Sequence, residues 1–140
     1  MSLENQSKPV IEMRVALTTS NYERLPKFYC EGLGVDPAQF WDNDQGQAVI
    51  LKLGEATLEI FDEDQAQTVD QIEAGKRISG QIRLAFQVPN LNEAMARLLA
   101  QGAIMVHEPI ITPWGDYNVR LQDPDGNQIT LFQTREPSDG

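Results

Sequence analysis

Apolar and polar residues alternate strictly at the start of the chain, over residues 11–19. One side of the alternation consists of Ile11, Met13, Val15 and Leu17. A period of two indicates a strand with one buried face. Residues 20–23 then have the form of a capping box, and the apolar residues that follow at helical spacing end near Gly32 and Gly34. The pattern predicts a strand followed by an amphipathic helix.

The rest of the first half predicts a hairpin and a polar connection. Residues 47–52 and 56–61 are apolar runs separated by a short turn sequence. Phe40 and Trp41 precede this hairpin and are expected in a loop. Residues 62–80 are polar, with few large apolar side chains, and predict a connecting segment that has room for a short helix.

The same order of elements then begins again. Residues 83–86, Arg-Leu-Ala-Phe, match residues 14–17, Arg-Val-Ala-Leu. The predicted elements that follow are a helix over 90–101 and strands near 104–106, 118–122 and 128–132, the last two joined by the turn 123–127. Each half is therefore predicted to be a βαβββ unit, so the chain contains an internal repeat.

Two such units suggest how the molecule is arranged. The helix of a βαβββ unit covers one face of its strands, and two open faces are best satisfied around a shared cavity. We predict an α+β fold in which two βαβββ modules form a cup-shaped mixed sheet with helices on the outside. The predicted divisions are an N-terminal extension at 1–9, a first module at 10–61, a connecting segment at 62–79, a second module at 80–133 and a C-terminal tail at 134–140.

Charge and composition restrict the possible partners. The 140 residues carry a formal net charge of −10, which disfavours binding to nucleic acid and to anionic membranes. No apolar run approaches the roughly 18 residues of a membrane span. The first ten residues lack the pattern of a secretory signal, so a cytoplasmic location is expected.

Several short motifs, in order along the chain, carry a resemblance to a known family. They are Phe28-Tyr29, Leu33-Gly34, Pro113-Trp114-Gly115 and the turn 123–127 followed by Ile129, Leu131 and Phe132. Within a paired βαβββ repeat, residues 10–133 resemble the vicinal oxygen chelate superfamily of glyoxalases, bleomycin resistance proteins and extradiol dioxygenases. Metal-dependent members use a histidine on the first strand and a carboxylate on the last strand of each half.

In this chain, the resemblance assigns those four metal positions to Arg14, Glu59, Arg83 and Thr130. Only Glu59 could bind a metal, because arginine has no free lone pair and stays protonated. No metal and no cofactor are therefore expected. Strand alternation also turns the three charged residues toward one cavity, where they form either an anion site with one net positive charge or an internal salt-bridge cluster.

Aromatic residues are expected at the rim and wall of the same cup. They are Trp41, Phe61, Trp114, Tyr117 and Phe132, and with the four residues at the metal positions they complete the predicted ligand-binding set. The alternative for Phe61 and Phe132 is core packing. His107 has an open role. Cys30, the only cysteine, is expected in the core rather than in a catalytic pair with that histidine.

The resemblance implies binding of a small organic molecule without metal, for sequestration or resistance. The ligand is expected to be aromatic and anionic. The alternatives are a lyase, isomerase or dioxygenase of the same fold, in which Glu59 acts as a base on an enolisable substrate, and a purely structural dimerisation module. A homodimer is expected, and the halves could pair within one chain or be exchanged between two.

Overall fold

The structure, a computed structural model, describes residues 9–135. Most of the predicted N-terminal extension and of the C-terminal tail lies outside the described residues. The elements in chain order are β1 (Glu12–Thr18), α1 (Arg24–Leu33), β2 (Gln39–Asn43), β3 (Gly46–Leu53), β4 (Ala56–Phe61), α2 (Glu63–Ala74), β5 (Ile82–Gln87), α3 (Leu91–Ala100), β6 (Ile104–Ile111), β7 (Tyr117–Gln122) and β8 (Gln128–Gln133). The βαβββ order occurs twice, with α2 between the two copies.

All eight strands form one mixed sheet. Their spatial order is β2-β3-β4-β1-β5-β8-β7-β6. The first strands of the two halves pair antiparallel at the centre, with Arg14 opposite Ala85 and Ala16 opposite Arg83. Within each half the first and last strands are parallel. The predicted fold class is confirmed, and the two halves pair within one chain.

Helices α1 and α3 cover the outer face of the sheet. Under α1 lie Val49, Leu51 and Ile60, and under α3 lie Val119, Leu121 and Leu131. Because side chains alternate along a strand, the residues between these turn to the opposite side, here called the inner face. The three helices within residues 9–135 lack the length and apolar content needed to cross a membrane.

Two sequence-based expectations about local structure were wrong. Residues 39–43, expected as a loop, form the edge strand β2, in which Trp41 lies opposite Ala48. An edge strand pairs on one side only and can be short and polar, so it gives little apolar alternation. The capping box at 20–23 does not form. Instead Asn21 Oδ1 accepts a hydrogen bond of 3.3 Å from the backbone N–H of Arg24.

The connecting segment forms helix α2, which lies on the inner face. Ala66 and Val69 pack against Phe61 and neighbouring small residues of the sheet. Asp62 caps the helix and also accepts a 3.0 Å hydrogen bond from the backbone N–H of Gln47, which ties α2 to β3. Helix α2 approaches the sheet closely at Gly46, where an added Cβ atom would lie 2.2 Å from the backbone nitrogen of Gln65.

The C-terminal half of α2 is anchored by a buried ion cluster, which consists of Asp70, Glu73 and Arg120. Arg120 Nη1 donates to Asp70 Oδ1 over 3.0 Å, and Nη2 donates to Glu73 Oε1 over 2.8 Å. Asp70 also accepts hydrogen bonds from Ser79 and from the backbone N–H of Ile78. Burial alone would raise the pKa of Asp70, but these hydrogen bonds and the charge of Arg120 lower it to about 2.

We predict that Asp70→Asn lowers the free energy of unfolding at neutral pH by about 2 kcal/mol, the equivalent of the shift in the pKa. A lowered pKa stabilises the fold above the ordinary value of 3.8, and this contribution is lost as the pH falls toward 2. Urea unfolding should therefore show a difference from wild type that shrinks over that range. Asp64→Asn, on the exposed side of α2, is the control. An equal effect of both variants would contradict the prediction.

Candidate functional site

A cavity of about 520 Å³ opens on the inner face of the sheet. Side chains from both halves of the chain line it, and α2 closes one side with Gln65, Val69 and Ile72. The lining contains all but one of the residues predicted to contact a ligand, namely Arg14, Trp41, Glu59, Phe61, Arg83, Trp114, Thr130 and Phe132. The structure therefore brings both predicted groups, the charged and the aromatic, to one place.

Tyr117 is the exception, and its expected placement in the cup is wrong. Its ring packs against the outer-face core beneath α3, and its hydroxyl donates to Asn92 Oδ1 over 3.3 Å. Since neighbours along β7 point to opposite faces, the next residue, Asn118, lines the cavity in its place.

Glu59 lies between two guanidinium groups at the centre of the site. Its Oε2 is 3.7 Å from Nη1 of Arg14, and its Oε1 is 3.7 Å from Nη2 of Arg83. These distances are too long for hydrogen bonds, and within residues 9–135 the carboxylate receives none. Burial raises the pKa of Glu59, although the two guanidiniums oppose the shift.

Both arginines already have other partners. Arg14 donates from Nε and Nη2 to the carboxylate of Glu12, over 3.1 and 3.3 Å, and its guanidinium lies 5.2 Å from the centre of the Phe132 ring. Arg83 Nη1 donates to Thr130 Oγ1 over 2.8 Å, and that hydroxyl donates to Glu73 Oε1 over 2.7 Å. Arg83 is thus joined to the ion cluster under α2.

The charge balance differs from the sequence-based expectation of one net positive charge. Glu73, on α2, and Asp116, before β7, line the cavity together with the three predicted charged residues. Two guanidiniums and three carboxylates give a net charge of −1 when all are ionised. The sequence analysis did not include these two carboxylates, because one lies in the connecting segment and the other in a loop.

The sequence also matches a family model. Residues 13–131 match that of the Glyoxalase/Bleomycin resistance protein/Dioxygenase superfamily. The chain belongs to this superfamily. The resemblance seen in the motifs is therefore confirmed. No curated protein matches the chain.

Solved structures share the fold. A hypothetical protein from Bacillus halodurans C-125 is similar at 18% identity and a TM-score of 0.67, covering 95% of this chain and 100% of its own. Methylmalonyl-CoA epimerase from Mycobacterium tuberculosis has 19% identity and a TM-score of 0.66, with 93% and 92% covered. A variant of the Streptomyces coelicolor epimerase in complex with 2-nitronate-propionyl-CoA has 19% identity and a TM-score of 0.63, with 93% and 100% covered.

At the four positions that the resemblance assigns to metal ligands, the side chains of this chain do not fit a divalent metal. Arg14 and Arg83 would repel the ion, and Thr130 is engaged by Arg83 and by Glu73. Glu59 is left as the one carboxylate at these positions, held between two cations. Within residues 9–135, no group of three or more histidine, cysteine, aspartate and glutamate side chains has the arrangement of a metal site.

His107 and Cys30 lie apart from the cavity and from each other. His107 is on the edge strand β6, opposite Arg120, with its ring 3.6 Å from the position of a Cβ at Gly75. Its Nδ1 is 2.8 Å from the carbonyl oxygen of Glu108. Cys30, on α1, packs against the outer-face core of the first half. The two residues lie on opposite faces of the sheet and cannot form a catalytic pair.

The sequence analysis missed several site residues for which a partial signal was present. Asn118 and Arg120 alternate with the apolar Val119 and Leu121 within the predicted strand 118–122. Alternation places both polar residues on the inner face, where a buried Arg120 requires a negatively charged partner. Nothing in the local pattern indicates that the partners come from α2.

The raised pKa of Glu59 predicts a pH dependence of stability. Above the ordinary value of 4.5, the folded protein holds a proton that the unfolded chain has released, so the free energy of unfolding should fall as the pH rises through the folded pKa. Glu59→Gln should reduce this slope in urea unfolding measured at several pH values. Asp116, whose pKa burial also raises, would leave a residual slope.

Glu55→Gln, which replaces an exposed carboxyl group in the turn between β3 and β4, is the matched control, and we expect the same slope as in wild type. If the unfolding free energy of Glu59→Gln has the same pH dependence as that of wild type, Glu59 is ionised in the folded protein as it is in water.

Proposed function

We propose that this superfamily member binds a small organic molecule in its inner cavity without a metal, in the manner of a sequestration or resistance protein. The observation that supports the proposal best is the composition of the cavity wall. Trp41, Phe61, Trp114 and Phe132 surround a space of about 520 Å³. That volume lies within the usual range of ligand pockets, and aromatic walls with a few polar groups are typical of sites for flat ligands.

The exposure of the tryptophans supports ligand binding further. Trp114 is 52% exposed and lies in the loop before β7, at the edge of the cavity. Trp41 is half-buried on the edge strand β2. Aromatic rings in such positions can contact a ligand without first leaving a packed core. The net charge of the lining gives an anion no general attraction, so the proposal depends on the aromatic walls.

The second candidate function is an enzyme of the same fold. A buried carboxylate with a raised pKa, such as Glu59, can act as a general base, and an adjacent guanidinium of Arg14 or Arg83 could stabilise the enolate that forms. The epimerases among the structural neighbours give this candidate a precedent in the fold. Recovery of a bound compound in altered form would favour the enzyme, whereas recovery of the unchanged compound would favour sequestration.

Binding can be followed through the two tryptophans of the chain, because both line the cavity. In a panel of neutral aromatic compounds, we expect saturable quenching of tryptophan fluorescence and a higher thermal midpoint. A compound at a hundredfold excess over its Kd stabilises the native state by about 2.7 kcal/mol. Trp41→Ala should weaken binding by about tenfold, because a large aromatic contact is lost.

Phe40→Ala is the matched control for this experiment. Phe40 neighbours Trp41 on β2 but points to the outer face and is 75% exposed. Its replacement should therefore leave binding unchanged. Absence of binding across the panel, or equal losses in the two variants, would contradict ligand binding in the cavity.

The cytoplasmic location expected from the sequence stays a prediction. We also propose that the protein forms a homodimer. The two halves already pair within one chain, so the dimer needs a different surface. The outer face of the central strands leaves Met13 45% and Ile82 57% exposed, and Phe28 and Leu33 on α1 are exposed as well. Apolar residues exposed in this number are typical of an interface between copies.

Light scattering should give about twice the chain mass of 15.7 kDa. The double substitution Met13→Lys and Ile82→Lys should produce a monomer with unchanged ligand binding, since both side chains lie on the face opposite the cavity. A wild-type protein that remains monomeric when concentrated would contradict the dimer.

A further inference from the structure

We propose that the ligand carries a neutral carbonyl oxygen on its aromatic ring, as an aryl ketone or a lactone does, and that Asn118 Nδ2 donates a hydrogen bond to that oxygen. This inference depends on the proposed binding function, and it names the chemical class of ligand that the cavity selects. The class differs from the anionic ligand expected from the sequence.

The first observation is the amide of Asn118, a side chain that lines the cavity from β7 and is 2% exposed. Its Oδ1 is enclosed by the protein and has no hydrogen-bond partner within residues 9–135. Its Nδ2 donates no hydrogen bond within these residues either, but it is not among the enclosed unpaired atoms. The donor is therefore the end of the amide that a molecule in the cavity can reach. A buried donor without an acceptor is costly, and a ligand oxygen would satisfy it.

The second observation concerns the side chains around this donor. Asn118 lies opposite Phe132 of the neighbouring strand β8, so the two side chains are adjacent on the inner face. Trp114 and Asp116, in the loop before β7, also line the cavity, and the Asp116 carboxylate accepts a hydrogen bond from the Trp114 side chain. The indole N–H is therefore already used. A flat ring that packs against Phe132 can present an oxygen substituent to Asn118 Nδ2 without competition from that indole.

The third observation is the charge of the lining, which favours a neutral acceptor over an anionic one. Two guanidiniums and three carboxylates give the lining a net charge of −1 when all are ionised. Nη1 of Arg14 and Nη2 of Arg83 each lie 3.7 Å from the carboxylate of Glu59, which offsets their attraction for an anion. A ligand carboxylate beside these nitrogens would also lie close to Glu59, and like charges at close range repel. A carbonyl oxygen accepts an N–H without bringing a charge into the cavity.

Three naphthalenes substituted at the same ring position test the inference: the methyl ketone acetylnaphthalene, the alkene isopropenylnaphthalene and the anion naphthoate. The ketone and the alkene have nearly equal shape, and only the ketone has a hydrogen-bond acceptor. Equilibrium dialysis of the full chain at neutral pH gives a Kd for each compound. We expect the ketone to bind at least about tenfold more tightly than either of the others, because the alkene leaves Asn118 Nδ2 unpaired and naphthoate meets a negative lining.

Asn118→Leu removes the donor while keeping a similar side-chain size, and Asn118→Ala removes it without overpacking the inner face. In both variants, the Kd values of the ketone and the alkene should differ by less than about threefold. The ratio of the two values is the readout, because a change in the shape of the cavity acts on both compounds alike. Asn92→Leu, at an exposed position of α3, is the matched control and should leave the ratio at its wild-type value.

Binding of the ketone that is no tighter than that of the alkene or of naphthoate would overturn the inference while leaving ligand binding intact. A ratio that stays at its wild-type value in Asn118→Leu and Asn118→Ala would do the same, as would binding of other aromatic compounds but of none of these three. A complete absence of aromatic binding would instead contradict the proposed function itself.

Discussion

The ion cluster of Arg120, Asp70 and Glu73 is the interaction on which the rest of the inner face depends. Arg120 is wholly buried in the sheet, and both of its charged partners come from α2. Breaking such a pair leaves a buried charge without full compensation, which destabilises the folded protein. Helix α2 therefore cannot move along the sheet without breaking these contacts. Because Arg120 must be paired with carboxylates of α2, it determines the position of this helix, which forms one wall of the cavity.

The cluster also determines how the arginine at the centre of the sheet is oriented. Glu73 accepts from Arg120 and from Thr130, and the hydroxyl of Thr130 in turn accepts from Arg83. The guanidinium of Arg83 is thereby held with its Nη2 3.7 Å from Oε1 of Glu59. Buried ion pairs contribute little net stability compared with apolar packing, so the consequence of this chain of contacts is geometric. Glu73, the α2 carboxylate in the cavity lining, takes the net charge of the lining from zero to −1 when all five groups are ionised.

Alternation along the strands allowed the inner-face residues to be predicted, whereas contacts between distant segments could not be. A side-chain period of two is a property of the backbone, so Arg14, Glu59 and Arg83 converge whatever their neighbours are. Helix α2 has no comparable signal, since its buried side carries Asp70 and Glu73. Asp70 pairs with an arginine fifty residues away. The same alternation, extended by one residue at the start of β7, would have turned Tyr117 outward.

The two sides of the cavity differ in how fully their polar groups are satisfied. Near α2, Glu73 accepts from Arg120 and Thr130, as expected for groups that hold the fold together. On the side toward β1 and β7, Asn118 Oδ1 and the Glu59 carboxylate lack donors within residues 9–135. Asn118 Oδ1 is enclosed by the protein, whereas the Glu59 oxygens are not among the enclosed unpaired atoms of residues 9–135, so solvent or a bound molecule can reach Glu59. The guanidiniums of Arg14 and Arg83 already lie beside carboxylates of the protein, so their charges give an anionic ligand little further attraction.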